Sequence, residues 1–351
     1  MSPSLNDILQ THCDRVVKKH RKGPIQIVLT SPSQSIAVAS PPGSADQRFH
    51  IASIGKLFTA VALLRLVERG QCSLEDPITQ WVDAKLVEGL FRDDPSKVTL
   101  KHLLMHRSGV ADYFEGKDIK GVPFVKQVIN EPDRYWSPED LLTFTRMNQK
   151  PVGSVGERFH YGDTGYLLVT LAIESITKMP FRVWLKRDLF DPLGLKNTQS
   201  MIYDWPGQER MSLDSVMFDG VNLANARSLS CDRADGGIVS TPSDLIKFHQ
   251  ALHHGQLISN EHLTLMKTEQ GKFRAGIHYG LGMMTLHFNE FFFLMRDFPR
   301  CTGHIGITAT HLFYDPDHDL YLVLNFGSNT AMSDSFVFLS QLMGLVKKHA
   351  G

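Results

Sequence analysis

The stretch Phe49-His50-Ile51-Ala52-Ser53-Ile54-Gly55-Lys56-Leu57-Phe58-Thr59-Ala60 places a serine and a lysine three residues apart at the start of an apolar segment. Apolar residues at helical spacing continue to Gly70, where a helix would end. Residues three apart on a helix share a face, so we expect the amine of Lys56 beside the hydroxyl of Ser53. A serine hydroxyl becomes a useful nucleophile only when a neighbouring base can take its proton. The unpaired N–H groups of a first helical turn would also point toward whatever Ser53 attacks.

A second serine–lysine pair at this spacing, Ser175-Ile176-Thr177-Lys178, shows that the pattern alone is weak. It closes an apolar stretch and is followed by Met179-Pro180, and a proline at such a place ends a helix. The dipole at a helix C-terminus opposes the negative charge that develops in acyl transfer. We therefore interpret Ser175 as part of a solvated helix end. For Ser53, the alternative to a nucleophile is a helix cap beside an exposed lysine.

A second candidate segment is Phe159-His160-Tyr161-Gly162-Asp163-Thr164-Gly165-Tyr166, where a tyrosine and an aspartate flank a glycine before another apolar helical stretch. An ammonium beside a tyrosine stabilises the phenolate form. Such a tyrosine can carry protons during acylation and deacylation. The alternative is that Tyr161 is a half-buried loop aromatic and that Asp163 caps the following helix.

A third candidate segment is Cys301-Thr302-Gly303-His304-Ile305-Gly306-Ile307, which continues to residue 314 and is interpreted as a strand interrupted by glycines. Turn residues follow at 315–318, and a second strand over 320–325 would complete a hairpin. Glycines in a strand often mark places where a ligand or another backbone comes close. A single histidine on a strand, such as His304, is more often structural than functional.

Taken in order, S-x-x-K, Y-x-(N/D) and a basic residue-x-Gly on a late strand resemble the motifs of the penicillin-recognising serine hydrolases. This is the serine β-lactamase-like and penicillin-binding-protein-like superfamily. The chain is most similar to its class C β-lactamase-related branch, which contains esterases, D-aminopeptidases and acyltransferases. The resemblance extends from about Phe49 to Asn325, and the stretches 66–78, 99–109, 190–195 and 235–245 agree with it.

This resemblance implies that Ser53 is acylated and that Lys56 and Tyr161 share the general-base work. It further implies an oxyanion hole made of the backbone N–H groups of Ser53 and Ile307. Such a hole is usually the largest electrostatic contribution to acyl transfer. The substrate-binding residues that the resemblance implies are Asp163, His304 and Gly306.

One departure from the family pattern concerns the third motif, which usually reads Lys-Thr-Gly. Here His304, expected on the wall opposite the nucleophile, stands in place of the lysine and is mostly uncharged at neutral pH. Without a permanent cation, the site would favour substrates that lack a carboxylate beside the scissile bond, such as simple esters. Arg274 or Lys272 could instead supply the charge.

The other departure is Asp163, at a position where the family usually has asparagine. An ionised aspartate only accepts hydrogen bonds, whereas asparagine both donates and accepts. The carboxylate would hold Lys56 as an ammonium and shift the role of base to Tyr161. This hypothesis leaves the division of work between Lys56 and Tyr161 open.

Length and composition set the broad class of the protein. The 351-residue chain is 42% hydrophobic, enough to bury a sizeable core in one large or two interlocked domains. Its formal net charge is zero, so there is no electrostatic case for nucleic acid or membrane surfaces as partners. The four cysteines form no C-x-x-C pair and are interpreted as free thiols. With neither a secretory signal nor a transmembrane stretch evident, we expect a cytoplasmic protein, and its oligomeric state is left open.

The order of predicted elements indicates the architecture. A helix over Leu5–Lys19 precedes strands at 25–30 and 35–39, the nucleophile helix and a mainly helical middle. Late strands are predicted at 279–288, 291–295, 308–313 and 321–326, with a closing helix over 333–348. We therefore predict an α/β (α+β) fold with an antiparallel sheet, flanked by helices and built from both chain ends. It would be one β-lactamase/transpeptidase-like catalytic domain over 1–351, with a sheet lobe (1–73 plus 231–351), an inserted helical lobe (74–230) and the site between them.

The sixteen histidines require that metal binding be considered. His102 and His106, like His249 and His253, stand at helical i, i+4 spacing. No H-E-x-x-H motif occurs and no third ligand lies near either pair in the sequence. We therefore expect neither a metal nor a cofactor.

Three classes of function remain. The first is a serine esterase or acyltransferase that acts on a small-molecule ester through an acyl-enzyme. The second is a β-lactamase or D-amino-acid peptidase or carboxypeptidase, with an amide substrate. The third is a non-catalytic binding module of the same fold, and the presence of Ser53, Lys56 and Tyr161 argues against it. An α/β-hydrolase elbow is not supported, since Ser53-Ile54-Gly55 is only the second half of G-x-S-x-G.

Overall fold

The computed structural model describes residues 3–201, 212–235, 237–291 and 293–349. In chain order, the α-helices of these ranges are α1 (Leu5–Lys19), α2 (Gly55–Glu68), α3 (Ala84–Val87), α4 (Leu100–Leu104), α5 (Phe124–Asn130), α6 (Pro138–Asn148), α7 (Asp163–Thr177), α8 (Phe181–Leu185), α9 (Pro242–His253), α10 (Asn260–Lys267), α11 (Phe288–Phe291) and α12 (Met332–His349). The strands are β1 (Gln26–Ser31), β2 (Ile36–Ser40), β3 (Phe49–His50), β4 (Gln199–Ser200), β5 (Met217–Phe218), β6 (Val221–Asn222), β7 (Ile238–Ser240), β8 (Gly271–Arg274), β9 (Ile277–Tyr279), β10 (Met284–Leu286), β11 (Cys301–Gly306), β12 (Thr310–Asp315) and β13 (Leu320–Asn325).

The main sheet joins the two ends of the chain. Over the described residues its strand order is β2-β1-β13-β12-β11-β10-β9-β8, and neighbouring strands are antiparallel. Strand β1 pairs with β13, so that Val28 lies opposite Val323. The predicted antiparallel sheet built from both chain ends is therefore confirmed.

The sheet is covered on both faces. Alternate residues of a strand point to opposite faces, and Ile27 and Leu29 pack with Leu9 of α1 and Leu342 of α12. The intervening Val28 packs on the other side, in the core that contains α2, α7 and α9. Helix α2 is buried over most of its surface, as expected for a helix that is apolar all round.

The helical part of the fold follows α2. Helices α3 to α8 lie between Ala84 and Leu185, within the segment expected to be mainly helical. We propose the sequence-based division of the chain, 1–73 plus 231–351 and 74–230, as its two lobes. Among the described helices, none combines the length and the apolar content needed to cross a lipid bilayer.

Several predicted elements are confirmed and others need correction. Helix α1 has the predicted bounds, and its N-terminus is fixed by a capping box between Ser4 and Asp7. The stretch 301–314 is two strands rather than one, because Ala309 turns the chain with a φ of 58°. The predicted strand 279–288 is likewise interrupted at Gly282, whose φ is 81°.

The prediction of a strand over 291–295 was wrong. The described part of this stretch consists of the end of α11 and a 3-10 turn over Phe293–Met295, and residue 292 lies outside the described residues. The rings of Phe288 and Phe291 contact at a centroid distance of 5.9 Å, because residues three apart lie on the same face of a helix. Packing of these rings outweighs the β-propensity of phenylalanine.

Candidate active site

The nucleophile candidate lies in a 3-10 turn, Ala52–Ile54, that leads directly into α2. Lys56, fully buried in the first turn of α2, donates a hydrogen bond from Nζ to Ser53 Oγ at 3.0 Å. Ala52, the residue before Ser53, has a φ of 47°, a backbone conformation that costs a non-glycine residue about 1–3 kcal/mol. The fold thus brings the predicted serine and lysine into direct contact at a strained turn.

Asp163 supplies the carboxylate that faces Lys56. It accepts a short hydrogen bond from Lys56 Nζ and forms a buried ion pair with it. The alternative interpretation of Asp163 as a helix cap is wrong, because Gly162 occupies the N-cap position of α7 and Asp163 is the first helical residue. Its side chain points to the lysine and not to the helix N-terminus.

Asp112, which the sequence analysis did not single out, supports the position of Asp163. Its Oδ1 accepts the backbone N–H of Asp163 at 2.8 Å, and its carboxylate also accepts the N–H groups of Phe114 and Glu115. Burial, with the nearby charge of Asp163, raises the pKa of Asp112 to about 7. A Cβ at Gly162 would lie 2.8 Å from Asp112 Cβ, so this close approach requires the glycine. The sequence signal for Asp112 is weak: an aspartate whose side chain can accept N–H groups two and three residues later.

Tyr161 lies against the lysine. The Nζ of Lys56 is 5.1 Å from the centroid of the Tyr161 ring, within the range of a cation–π contact. The ring also packs against His106 and Phe273, at centroid distances of 4.4 and 4.7 Å. His106 accepts the Gly162 N–H through Nδ1 at 3.3 Å, so it fixes the turn that carries both Tyr161 and the aspartate. His102, four residues before His106, forms a capping box with Thr99 at the start of α4, and this histidine pair is not among the groups of described residues that could hold a metal ion.

His304 lies near this group but is fully buried. Its Nδ1 lies 2.7 Å from the carbonyl oxygen of Ile305, and its ring centroid is 6.3 Å from that of Tyr161. Burial, and to a lesser degree the charge of Lys56, lowers the pKa of His304 to about 3, so the ring is uncharged at neutral pH. Among the described residues, Ile305 and Gly306 of β11 line the cavity that also contains Ser53, and His304 does not. The expected position of His304 on the cavity wall is therefore corrected.

Gly306 allows the end of β11 to contact the nucleophile turn. A Cβ on Gly306 would lie 2.8 Å from the Cβ of Ala52 and 2.3 Å from Thr310 Oγ1, closer than any side chain tolerates. The next residue, Ile307, lines the same cavity as Ser53. The assignment of the Ser53 and Ile307 N–H groups as the oxyanion hole remains a prediction that this proximity supports.

The cavity above Ser53 combines an apolar wall with several carboxylates. Arg274 reaches it from β8, whereas Lys272, the other candidate for a substrate-facing cation, pairs with Glu290 at 2.7 Å instead. The acidic lining residues are Asp112, Glu115, Asp163 and Asp232. The apolar lining residues are Phe114, Phe273, Ile277, Met284, Ile305, Ile307, Met332 and Phe336.

The remaining candidates lie outside this cavity. Ser175 occupies the last turn of α7, and Lys178 follows as its C-cap, which agrees with the interpretation as a helix end. His249 and His253 contact each other through their Nε2 atoms at 3.2 Å, and burial lowers the pKa of both, that of His249 to about 3. The four cysteines are free thiols, as predicted.

Comparison with known proteins identifies the family of the chain. The family model described as Beta-lactamase matches residues 29–336. Penicillin-binding protein 4* of Bacillus subtilis (strain 168) is 26% identical over 247 residues, which are 62% of this chain and 48% of that protein. This chain thus spans only about half the length of that curated relative, and less of others: 28% of Protein flp of Staphylococcus aureus (strain MW2).

Solved structures share the fold over nearly the whole chain. D-amino acid amidase from Ochrobactrum anthropi SV3, complexed with L-phenylalanine amide, superposes with a TM-score of 0.78 at 22% identity and covers 99% of this chain and 100% of its own. EstCE1, described as a hydrolase with promiscuous acyltransferase activity, gives a TM-score of 0.74 at 18% identity. The match covers 97% of this chain and 98% of EstCE1. With the family model matching most of its length, this chain belongs to the Beta-lactamase family.

Proposed function

We propose that the protein hydrolyses or transfers the acyl group of small carboxylic esters through a covalent intermediate on Ser53. The single observation that carries this proposal is the contact of Lys56 with both Ser53 and Asp163. The carboxylate favours the ammonium form of the lysine, and an ammonium that donates to Ser53 Oγ cannot also take its proton. The base would then be Tyr161, whose phenolate the same ammonium stabilises.

In the proposed reaction, Ser53 Oγ attacks the ester carbonyl while its proton passes to the Tyr161 oxygen. The N–H groups of Ser53 and Ile307 would receive the negative charge of the tetrahedral intermediate. Collapse of this intermediate expels the alcohol, which takes the proton from Tyr161 and leaves the acyl group on Ser53. Water, or a second alcohol in a transferase reaction, then attacks the acyl-enzyme by the same steps in reverse.

The preference for esters rests on the charge of the site. The family resemblance implies a lysine at the position of His304, whereas burial lowers the pKa of this histidine to about 3 and keeps it neutral. Residue 304 thus supplies no cation for a carboxylate next to the scissile bond, and among the described lining residues the cation Arg274 is outnumbered by acidic residues. Lining by Phe114, Phe273 and Phe336 favours an apolar acyl or alcohol group.

The test offers p-nitrophenyl acetate and butyrate, a chromogenic cephalosporin and a D-alanyl anilide to the same preparation. We expect turnover of the esters above all, and a loss of at least about 10³-fold in Ser53→Ala. Ser175→Ala is the matched control, since it alters a serine with the same S-x-x-K spacing at a helix end. A fluorophosphonate probe should add its mass to the peptide that contains Ser53. Ester turnover that survives in Ser53→Ala, or a label on another serine, would reject the proposal.

A second candidate function, hydrolysis of amides that carry a free amine, is favoured by the carboxylates of the cavity. Glu115 and Asp232 line it in addition to Asp112 and the lysine-paired Asp163, and carboxylates attract an ammonium group. One structural neighbour is a D-amino acid amidase. Under this alternative, Glu115→Gln should lower kcat/KM for D-phenylalanine amide by about 10- to 100-fold and leave a neutral ester unaffected. Equal loss with both substrates would count against a role in amine recognition.

A further inference from the structure

A second cluster of polar side chains lies at the β8–β10 edge of the sheet and is not used by the proposed mechanism. It contains Glu269, which follows α10, His278 on β9, and His287, which directly follows β10. The carboxylate of Glu269 lies 2.5 Å from His287 Nε2 through one oxygen and 3.1 Å from His278 Nδ1 through the other. One ligand atom from each of the three residues lies within 4.8 Å of the other two.

Strand pairing brings the two histidines together. Strands β9 and β10 are antiparallel with His278 opposite Thr285, and the N–H of His287 donates to the Gly276 carbonyl at 2.9 Å. One imidazole therefore lies on β9 and the other just after β10, and their ring centroids are 4.2 Å apart. His287 is buried, whereas Glu269 is exposed, so the cluster reaches solvent through Glu269.

A further carboxylate, Glu290 of α11, fixes the orientation of His278. Its Oε2 accepts from Lys272 Nζ at 2.7 Å and from the Gly276 N–H at 3.0 Å. Its Oε1 lies 2.8 Å from His278 Nε2 and can accept the proton there. A neutral imidazole that donates from Nε2 turns the lone pair of Nδ1 toward Glu269. A lone pair that faces a carboxylate at 3.1 Å is unfavourable unless a cation joins the two groups, either a proton that makes His278 an imidazolium or a metal ion that both atoms coordinate.

We propose that Glu269, His278 and His287 form a binding site for a divalent transition-metal ion of the zinc type. Two histidines and one glutamate are a common donor set for zinc, with a water molecule in the remaining position. Glu290 acts as the outer carboxylate that orients a metal-bound histidine, an arrangement typical of such sites. Bond lengths of roughly 2.0–2.2 Å place the ligand atoms of one ion about 3–4 Å apart, so only small side-chain movements are required.

The site would stabilise one wall of the catalytic cavity. Ile277 adjoins His278 on β9, and both Ile277 and Met284 of β10 line the cavity above Ser53. Gly276, whose N–H donates a hydrogen bond to Glu290, directly precedes Ile277. The metal would therefore connect β9, β10 and the end of α10 and restrict the motion of this wall. The role is structural, and no step of the proposed acyl transfer passes through the ion.

The experiment uses the full chain, first treated with a chelator and then titrated with Zn²⁺ or Co²⁺. We expect one ion per chain by calorimetry, the visible absorption of low-symmetry Co²⁺ with nitrogen ligands, and a higher Tm with the metal. Glu269→Gln, which changes an exposed side chain and preserves its shape, should weaken binding at least about 100-fold and abolish the rise in Tm. Glu290→Gln should weaken binding about 10- to 100-fold.

The matched control is His262→Gln. His262 lies 2.7 Å from Glu68 and forms a histidine–glutamate pair to which the described residues add no third ligand atom. Binding and the rise in Tm should be unchanged in this variant. The proposal is overturned if the wild-type protein binds neither ion, if Glu269→Gln binds as tightly as wild type, or if His262→Gln loses binding to the same degree. The Ser53 assignment is independent of all these outcomes.

Discussion

Replacement of Asp112 by asparagine tests the electrostatics of the active site directly. Asp112 is buried beside Asp163, and these two causes raise its pKa from about 3.8 to about 7. A folded state with a raised carboxyl pKa binds more protons than the unfolded state between these two values. The contribution of Asp112 to the stability of the wild-type protein should therefore fall as the pH rises from about 4 to about 7. A shift of about three pH units, at about 1.4 kcal/mol each, sets this loss at up to about 4 kcal/mol.

Asp112→Asn retains a side-chain oxygen that can accept the Asp163 N–H, but it removes the titration. At pH 4 both proteins carry a neutral side chain here, so their difference in unfolding free energy reports only altered hydrogen bonds. Between pH 4 and 7 the variant should gain stability relative to wild type, by up to about 4 kcal/mol, and the difference should then level off.

Urea unfolding followed by tryptophan fluorescence at unit steps from pH 4 to 8 measures this difference. Asp244→Asn is the matched control, since Asp244 is also buried but contacts the cation Lys247 at 3.5 Å. This variant also removes a buried carboxylate, so a change common to both variants reports the loss of a buried carboxylate in general and not the pair with Asp163. A difference for Asp112→Asn that stays flat, or that falls with pH, would refute the reasoning about the Asp112–Asp163 pair.

Three further changes have defined outcomes. In Asp163→Asn the ammonium of the lysine loses its partner, so the basic limb of the pH–rate profile for ester hydrolysis should move, and an unchanged profile would exclude Asp163 from setting the base. Gly306→Ala would bring a methyl group to 2.8 Å from Ala52 Cβ, so we expect a loss of about 1–3 kcal/mol in urea unfolding together with a lower kcat. Burial lowers the pKa of His311 to about 3, so the contribution of this residue to the stability of the wild-type protein should fall as the pH decreases from about 6.5 toward 3. The stability of His311→Gln relative to wild type should therefore increase as the pH falls over that range. A parallel pH dependence of the two proteins would contradict a buried neutral histidine.

The local parts of the fold could be predicted because their signals are local. Helix α1 has the predicted bounds because Ser4 and Asp7 cap its start. Ser53 and Lys56 meet as predicted because three residues of helix determine their separation. The glycine at 306 also indicated a close approach of chains, which the contact with Ala52 confirms.

Other features depend on contacts that no short stretch of sequence records. Ala309 takes a positive φ without being glycine, so nothing in its identity predicted the turn that separates β11 from β12. The importance of Asp112 depends on the approach of a segment fifty residues later. His278 and His287 meet only because β9 and β10 pair in one register, so a search for helical spacing selected His102 and His249 instead.

The pairing of β1 with β13 has a consequence for folding during synthesis on the ribosome. Gln26 lies opposite Asn325, so almost three hundred residues must be synthesised before the first strand meets its partner. Contacts of such long range form slowly, so the backbone groups along one edge of the apolar strand β1 remain unpaired until β13 has been synthesised. Helix α2, with its serine and lysine, would emerge early yet remain without the sheet that supports it until β13 leaves the exit tunnel. A chain truncated before residue 320 would thus contain all the proposed catalytic side chains and still lack the strand on which their arrangement depends.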